Sequence, residues 1–237
     1  MLSTITDIHC HILPGIDDGS PDAETSIAML RANKAQGVTQ IIATPHYYSD
    51  ISIRDFLSKR SAAFDSLRKS LFEQNLNLGI SMRVGAEVYY RPSLVEQENL
   101  PSLCINGTKY LLLEMPFAEW ESRALHNIDL IINTFGLTPI IAHIERYLPY
   151  NSSRTISELL SKNVIIQMNA GYLLNKKTSK RAKSMIKDGT IDIIASDCHN
   201  LDTRAQNLLS AFELLEASRM SADADRLAGN AEAVFGK

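Results

Sequence analysis

Residues 139–143 read Pro-Ile-Ile-Ala-His, an apolar run closed by one ionisable side chain. Apolar and polar residues do not alternate in it, so it lacks the signature of a strand with one wet face. A continuous apolar run suits a strand covered on both faces, as in a parallel sheet flanked by helices. The same form recurs at 5–9, 40–44, 80–86, 109–114, 164–168 and 191–196, where IIAT, YLLLE and IDIIAS are further examples. Helical spacing fills the intervals. Ser20-Pro21-Asp22 predicts a helix start, with Ser20 as N-cap, proline at the first position and an acid in the first turn. Ala23, Ile27 and Leu30 then share a face, and Gly37 offers a C-terminal stop. Further helices are predicted over 54–75, 121–135, 153–162, 178–188 and 203–218, with a short one ending near 234. Seven strand–helix steps predict an α/β fold in one domain over 1–237, most simply a (β/α) barrel, with a doubly wound open sheet as the alternative.

Composition is consistent with that fold and narrows function. Of 237 residues, 45% are hydrophobic and 22% charged, ordinary values for a globular chain. A net charge of −3 gives no general basic field for nucleic acid and no polybasic membrane patch. No apolar run is long enough to span a bilayer. The opening MLSTITDIHCHILPG lacks the charged leader and long apolar stretch of a signal peptide. Cys10, Cys104 and Cys198 are odd in number and without C-x-x-C spacing, which argues for reduced thiols and a cytoplasmic protein.

The ionisable residues decide more. In parallel α/β folds, sites form at the carboxyl ends of the strands. His9 and His11 close the first run, His46 follows the second, Glu87 the third, Glu114 the fourth, His143 the fifth, and Asp197 and His199 the last. Five of the six histidines lie at such ends, and His126 alone falls inside a predicted helix, where it reads as a surface or packing residue. Residues i and i+2 of an extended chain point the same way, so His9 pairs with His11 and Asp197 with His199, while Cys10 and Cys198 turn away to pack. Asp18, in a glycine-flanked loop, adds a ninth donor; Asp17 beside it reads as a turn residue. Four carboxylates converging on one face are prohibitive without cations. Imidazole and carboxylate without thiolate suit Zn, Mn, Fe or Ni, and nine donors predict two or three ions.

The segments DIHCHILPGIDDGS, IIATPHYY, VGAEVYY, YLLLEMPF, IIAHIERY, QMNAGYLL and IIASDCHN resemble the polymerase-and-histidinol-phosphatase superfamily. They resemble most its bacterial manganese-dependent protein-tyrosine-phosphatase branch, tied to capsule and exopolysaccharide synthesis. The resemblance spans residues 7 to 200. It implies a distorted (β/α)7 barrel with three divalent ions, manganese foremost and Fe, Zn or Mg as alternatives. The first ion would take His9, His11, Glu87 and Asp197; Glu87 would bridge to a second, held with Glu114 and His143; Asp18, His46 and His199 would hold the third. Arg146 and Arg204 match arginines that grip phosphate, Arg204 near the start of a helix. The implied substrate is a phosphotyrosine-bearing protein, an autophosphorylated bacterial tyrosine kinase with a flexible tail. Ile144, Cys198 and Ser20 stand where the family favours proline, alanine and proline, and none of the three is a ligand position.

Tyr47, Tyr48, Phe117 and Trp120 follow ligand-bearing ends and are candidates for the mouth of the site. Three other readings remain open at this point. A small-molecule phosphomonoesterase such as a histidinol phosphatase would share the metals. A polymerase-associated nuclease module would need a basic stretch that is not seen. A non-catalytic metal-binding scaffold would be expected to lack a ligand.

Overall fold

The computed structural model describes residues 4–236. The ends of the domain expected over 1–237, residues 1–3 and 237, lie outside the described residues. The elements run β1 (Ile5–Cys10), α1 (Ala23–Ala35), β2 (Val38–Ala43), β3 (His46–Tyr47), α2 (Ile53–Glu73), β4 (Ser81–Val84), β5 (Glu87–Tyr89), β6 (Tyr110–Glu114), α3 (Ser122–Phe135), β7 (Thr138–Ile141), α4 (Ser153–Leu160), β8 (Ile165–Asn169), α5 (Ala170–Leu174), α6 (Ser179–Lys187), β9 (Ile193–Ala195), α7 (Leu208–Ala217) and α8 (Ser221–Phe235).

All seven strand pairings are parallel. They fall into a three-stranded sheet, β1-β2-β4, and a six-stranded sheet, β3-β5-β6-β7-β8-β9. The division comes from two breaks within predicted runs. Thr44-Pro45 separates β2 from β3, and Gly85-Ala86 separates β4 from β5, both at the level of the candidate ligands. Proline has no N–H for a ladder, and Thr44 Oγ1 instead accepts from Cys10 N at 3.1 Å. Strand neighbours follow chain order without the reversal of a doubly wound sheet. Between the first and last strands there is no full ladder; a single Cys10–Cys198 bridge and the bonds Asp197 N to His9 O and His11 N to Cys198 O join them. Asp7, fully buried, reinforces that seam: its carboxylate accepts from Ser196 N, Ser196 Oγ and Gln206 Nε2.

The core has two parts. Ile8, Ile42, Leu112, Ile140, Ile193 and Ala195 come from successive strands and pack with Val234 and Phe235 of α8. A larger cluster fills the space between strands and the other helices and includes Cys10 and Cys198. Both thiols turn away from the histidines beside them, and all three cysteines are free.

Helix boundaries depart from expectation in three places. Asp22, not Ser20, caps α1, accepting from Thr25 N; Ser20 Oγ donates to the Asp22 carbonyl instead. The helix read from 203 begins at Leu208, because Asn200 Oδ1 accepts from Asp202 N and Arg204 N and folds that stretch into a turn. The last helix is not short, running 15 residues. Gly37 and Gly136, by contrast, lie just past their helices with φ of +73° and +66°, the left-handed geometry that ends a helix. Among the described residues no helix is long and apolar enough to cross a membrane.

Candidate metal centre

The carboxyl ends of the strands converge on Glu87, which is 1% exposed. Its Oε2 lies 3.2 Å from His9 Nε2, 3.2 Å from His11 Nε2 and 3.0 Å from His46 Nδ1. Its Oε1 lies 2.9 Å from His143 Nε2. Glu114 stands behind, 3.6 Å from His143 Nε2 and 4.0 Å from His46 Nδ1. Asp197 approaches His9 and His199, each at 3.4 Å. Asp18, the one exposed member, reaches His46 at 3.3 Å and His199 at 3.4 Å. All nine residues expected from the sequence are thus within one cluster, whereas His126 is exposed on α3.

Three sets of donor atoms lie mutually within 4.8 Å: His9, His11, Glu87 and Asp197; His46, Glu87 and Glu114; His11, Asp18, His46 and His199. The first matches the expected grouping. The second has His46 where His143 was expected, with His143 next to both carboxylates, and the third adds His11.

The histidines are oriented by oxygens outside these sets. His9 Nδ1 donates to Gln167 Oε1 at 3.2 Å, His11 Nδ1 to Asp17 Oδ2 at 2.7 Å, and His199 Nδ1 to the Asp197 carbonyl at 3.0 Å. Each Nε2 is left facing the cluster. Asp17, expected to be a turn residue, therefore works on His11, and its Oδ1 also accepts from Gly19 N. Gly19 is required there: a Cβ would come within 2.2 Å of the His11 carbonyl oxygen. Gln167 does double service, because Oε1 also accepts from His143 N at 2.8 Å while Nε2 donates to Asn169 Oδ1. Asn169 Nδ2 in turn donates to Asp197 Oδ2 at 2.8 Å. His143 and Asp197 sit at φ +32° and +54°, left-handed values that cost a non-glycine residue about 1 kcal/mol or more. Both lie at strand ends, where bonds from Gln167 and Asn169 hold them.

Burial opposes charge throughout, and neighbours decide the outcome. For His11, burial is outweighed by the neighbouring carboxylates of Asp17 and Glu87, and its pKa rises to about 10. Burial would raise Glu87 and Asp197, but the nearby histidines, His9 first, hold both below the usual carboxylate range. Glu114 is pushed up to about 8 by burial and by the charge of Glu87. His199 falls to about 4 through burial and the neighbouring His11. Two ionised, buried carboxylates therefore demand positive charge at the centre.

Divalent ions fit that demand. Glu87 Oε2, His46 Nδ1 and His199 Nε2 are buried and have no hydrogen-bond partner among the described residues, although the first two stand 3.0 Å apart. Donor atoms about 3–3.4 Å apart are spaced as around one ion with bonds of about 2.1 Å. The set is imidazole and carboxylate, suited to borderline divalent metals.

Arg146 and Arg204 flank the centre. Arg146 Nη2 lies 2.6 Å from Asp197 Oδ2, and Arg204 Nη2 lies 2.8 Å from Asp197 Oδ1. Both are about a third exposed, on a small open cavity with Asn169 and Thr203. Arg204 belongs to the turn before α7 rather than to the helix. The buried Glu145 carboxyl receives Asn169 N, while the guanidinium of Arg146 contacts Asp197. At the mouth, Tyr48 and Phe117 are 41% and 44% exposed, whereas Tyr47 and Trp120 are buried packing residues.

Residues 5–235 match the family model described as capsular polysaccharide synthesis, CpsB/CapC. Tyrosine-protein phosphatase YwqE of Bacillus subtilis is 33% identical over 218 residues, covering 89% of this chain and 83% of its own. Among solved structures, one from the pair YwqE of Bacillus subtilis and CpsB of Streptococcus pneumoniae, unique metal-dependent tyrosine phosphatases, superposes with a TM-score of 0.82 at 30% identity, covering 98% of this chain and 94% of that one. Histidinol phosphate phosphatase of Lactococcus lactis, at 14% identity and a TM-score of 0.58 over 96% of this chain and 98% of that one, shares the fold.

Proposed function

The chain belongs to the CpsB/CapC family of capsular polysaccharide synthesis, and on that premise we propose that it is a metal-dependent protein-tyrosine phosphatase. The observation that carries the reading is Glu87, a buried carboxylate with four histidine nitrogens 2.9–3.2 Å away. So many imidazole nitrogens around one buried carboxylate suit a site that would hold more than one cation. We assign three ions, manganese foremost. His9, His11, Glu87 and Asp197 would hold the first, Glu87, Glu114 and His143 the second with His46 in reach, and Asp18, His46 and His199 the third.

When bound, the ions supply Lewis acidity and lower the pKa of a water to about 7. The remaining work belongs to side chains. Arg146 and Arg204 offer forked donors to the phosphoryl oxygens, stabilising charge that develops there. Their positive charge also draws a phosphate dianion to a protein whose net charge is −3. Gln167, Asn169 and Asp17 keep the donor atoms aimed. The leaving tyrosine has a pKa near ~10, so it departs without a strong general acid. The exposed mouth, with Asp18 on its rim, suits a phosphotyrosine on a flexible chain. We take a bacterial tyrosine kinase tail as that substrate and the cytoplasm as its setting, a compartment that three unpaired cysteines suit.

The test is competition between substrates. The metal-loaded protein is expected to hydrolyse a phosphotyrosyl peptide far faster than histidinol phosphate. The reverse preference would assign it to small-molecule hydrolysis.

A further inference from the structure

Large apolar side chains avoid the surface of this protein, and the exceptions are not scattered. Among the described residues six are exposed: Tyr48, Phe72, Phe117, Tyr150, Leu160 and Leu201. Phe72 and Leu160 lie on helices. The other four stand on the segments that follow β3, β6, β7 and β9, on the face that carries the ligands. Two of these four are fixed against the centre itself. Tyr48 stacks on His46 with centroids 4.9 Å apart and planes at 25°. Phe117 lies over His143 at 5.9 Å and 27°, with Tyr147 behind it at 5.6 Å and 28°. His46 and His143 both approach Glu87 and Glu114, so the two rings flank the same pair of carboxylates.

Neither ring is free to fold away. Arg91 Nε donates to the Tyr48 carbonyl at 2.8 Å, and Tyr89 packs beside its ring at 5.8 Å. Phe117 is backed by Tyr147, whose hydroxyl accepts from Met115 N at 2.9 Å. Each ring thus has an imidazole stacked against it, and each residue stays more than two-fifths exposed. Exposed, immobilised aromatic area beside a polar centre is the arrangement that binds another flat ring, since offset stacking adds to simple burial and little freedom is lost.

Resting on the phosphatase reading above, we infer that Tyr48 and Phe117 form an aryl-binding subsite that holds the ring of the phosphorylated tyrosine and selects aryl over alkyl phosphates. The phosphoryl group then lies toward Arg146 and Arg204, and the ring packs toward the two aromatic walls. An alkyl phosphate such as phosphoserine reaches the same polar groups but leaves the walls wet.

The experiment uses metal-loaded protein with matched phosphotyrosyl and phosphoseryl peptides, and compares phenylphosphonate with methylphosphonate binding by calorimetry. Tyr48→Ala and Phe117→Ala should each lower the aryl-over-alkyl ratio of kcat/KM, and the phenyl-over-methyl ratio of affinity, by about three- to tenfold. Tyr48→Phe should retain both ratios, because the ring rather than the hydroxyl does the work. Metal content per chain, measured alongside, separates a lost wall from a disturbed His46 or His143. Unchanged ratios in both alanine variants with full metal content, or a parent protein without preference for phenylphosphonate, would overturn the subsite. Failure of the parent to hydrolyse either peptide would instead sink the phosphatase reading, with the phosphonate preference still deciding the subsite.

Discussion

His9 and His11 face each other through their Nε2 atoms, 3.2 Å apart, and both rings have committed the Nδ1 proton elsewhere, to Gln167 and to Asp17. Two imidazole lone pairs at that separation repel unless a cation lies between or beside them. The outer partners therefore shape the candidate site as much as the candidate ligands do.

Gln167 tests this most cleanly, because it binds no metal in this account yet touches both His9 and the backbone of His143. Gln167→Ala should weaken metal binding by roughly 10–100-fold, the usual effect of removing a ligand's outer hydrogen bond. Calorimetric titration with manganese measures it, and circular dichroism should show the fold retained. Unchanged affinity would make Gln167 a packing residue only.

Asp7 bears on stability rather than on metal. Its buried carboxylate ties β1 to Ser196 after β9 and to Gln206. Asp7→Ala leaves those donors without an acceptor and should destabilise the protein by about 2–4 kcal/mol. Asp7→Asn should recover only part of that, since its amide group would face Gln206 or Ser196 with a donor. The denaturant midpoint reads both changes, and a loss below about 0.5 kcal/mol in the alanine variant would contradict the role.

Arg146 should matter to turnover. Arg146→Ala is expected to lower kcat by about 10²–10³, the range for removing one preorganised donor to a developing charge, with bound metal unchanged. Loss of metal instead would mean that its bond to Asp197 is its main task. Arg146→Lys should restore little, because a single ammonium does not reproduce the fork.

Cys104 gives a pH test away from the ligands. Burial pushes its thiol up to about 12. At pH 9, where an ordinary thiol is substantially ionised, only about a thousandth of Cys104 would be thiolate in the native state. Alkylation by iodoacetamide should therefore be slow until the chain unfolds. The folded pKa lies above the unfolded one, so this group's contribution is intact below pH 9 and is lost as pH rises toward 12. Rapid native-state labelling at pH 9 would show the thiol to be accessible.

Much of this was legible in the sequence because candidate ligands at strand ends carry a double mark, an apolar run and then an ionisable residue. PIIAH and YLLLE show it plainly, and both became strands that end at the centre. The outer partners carry no such mark. Asp17 reads as a turn residue, since its contact with His11 depends on a loop closed by Gly19 that spacing does not reveal. Gln167 and Asn169 are ordinary amides on β8, and only the neighbouring strands give them partners. α7 starts later than its helical pattern suggests, because the side chain of Asn200 competes for the backbone of residues that otherwise suit a helix. The breaks at Thr44-Pro45 and Gly85-Ala86 are tertiary, bending two strands where His46 and Glu87 must meet.

If the nine converging side chains hold a metal cluster that hydrolyses aryl phosphate, activity must follow bound metal. The most direct measurement is to strip the protein with chelator and titrate manganese back, reading phosphotyrosyl-peptide hydrolysis and bound metal together. No activity is expected without metal, and activity should return as the chain fills with more than one ion. Robust hydrolysis in excess chelator, or full activity at a single ion per chain, would contradict it.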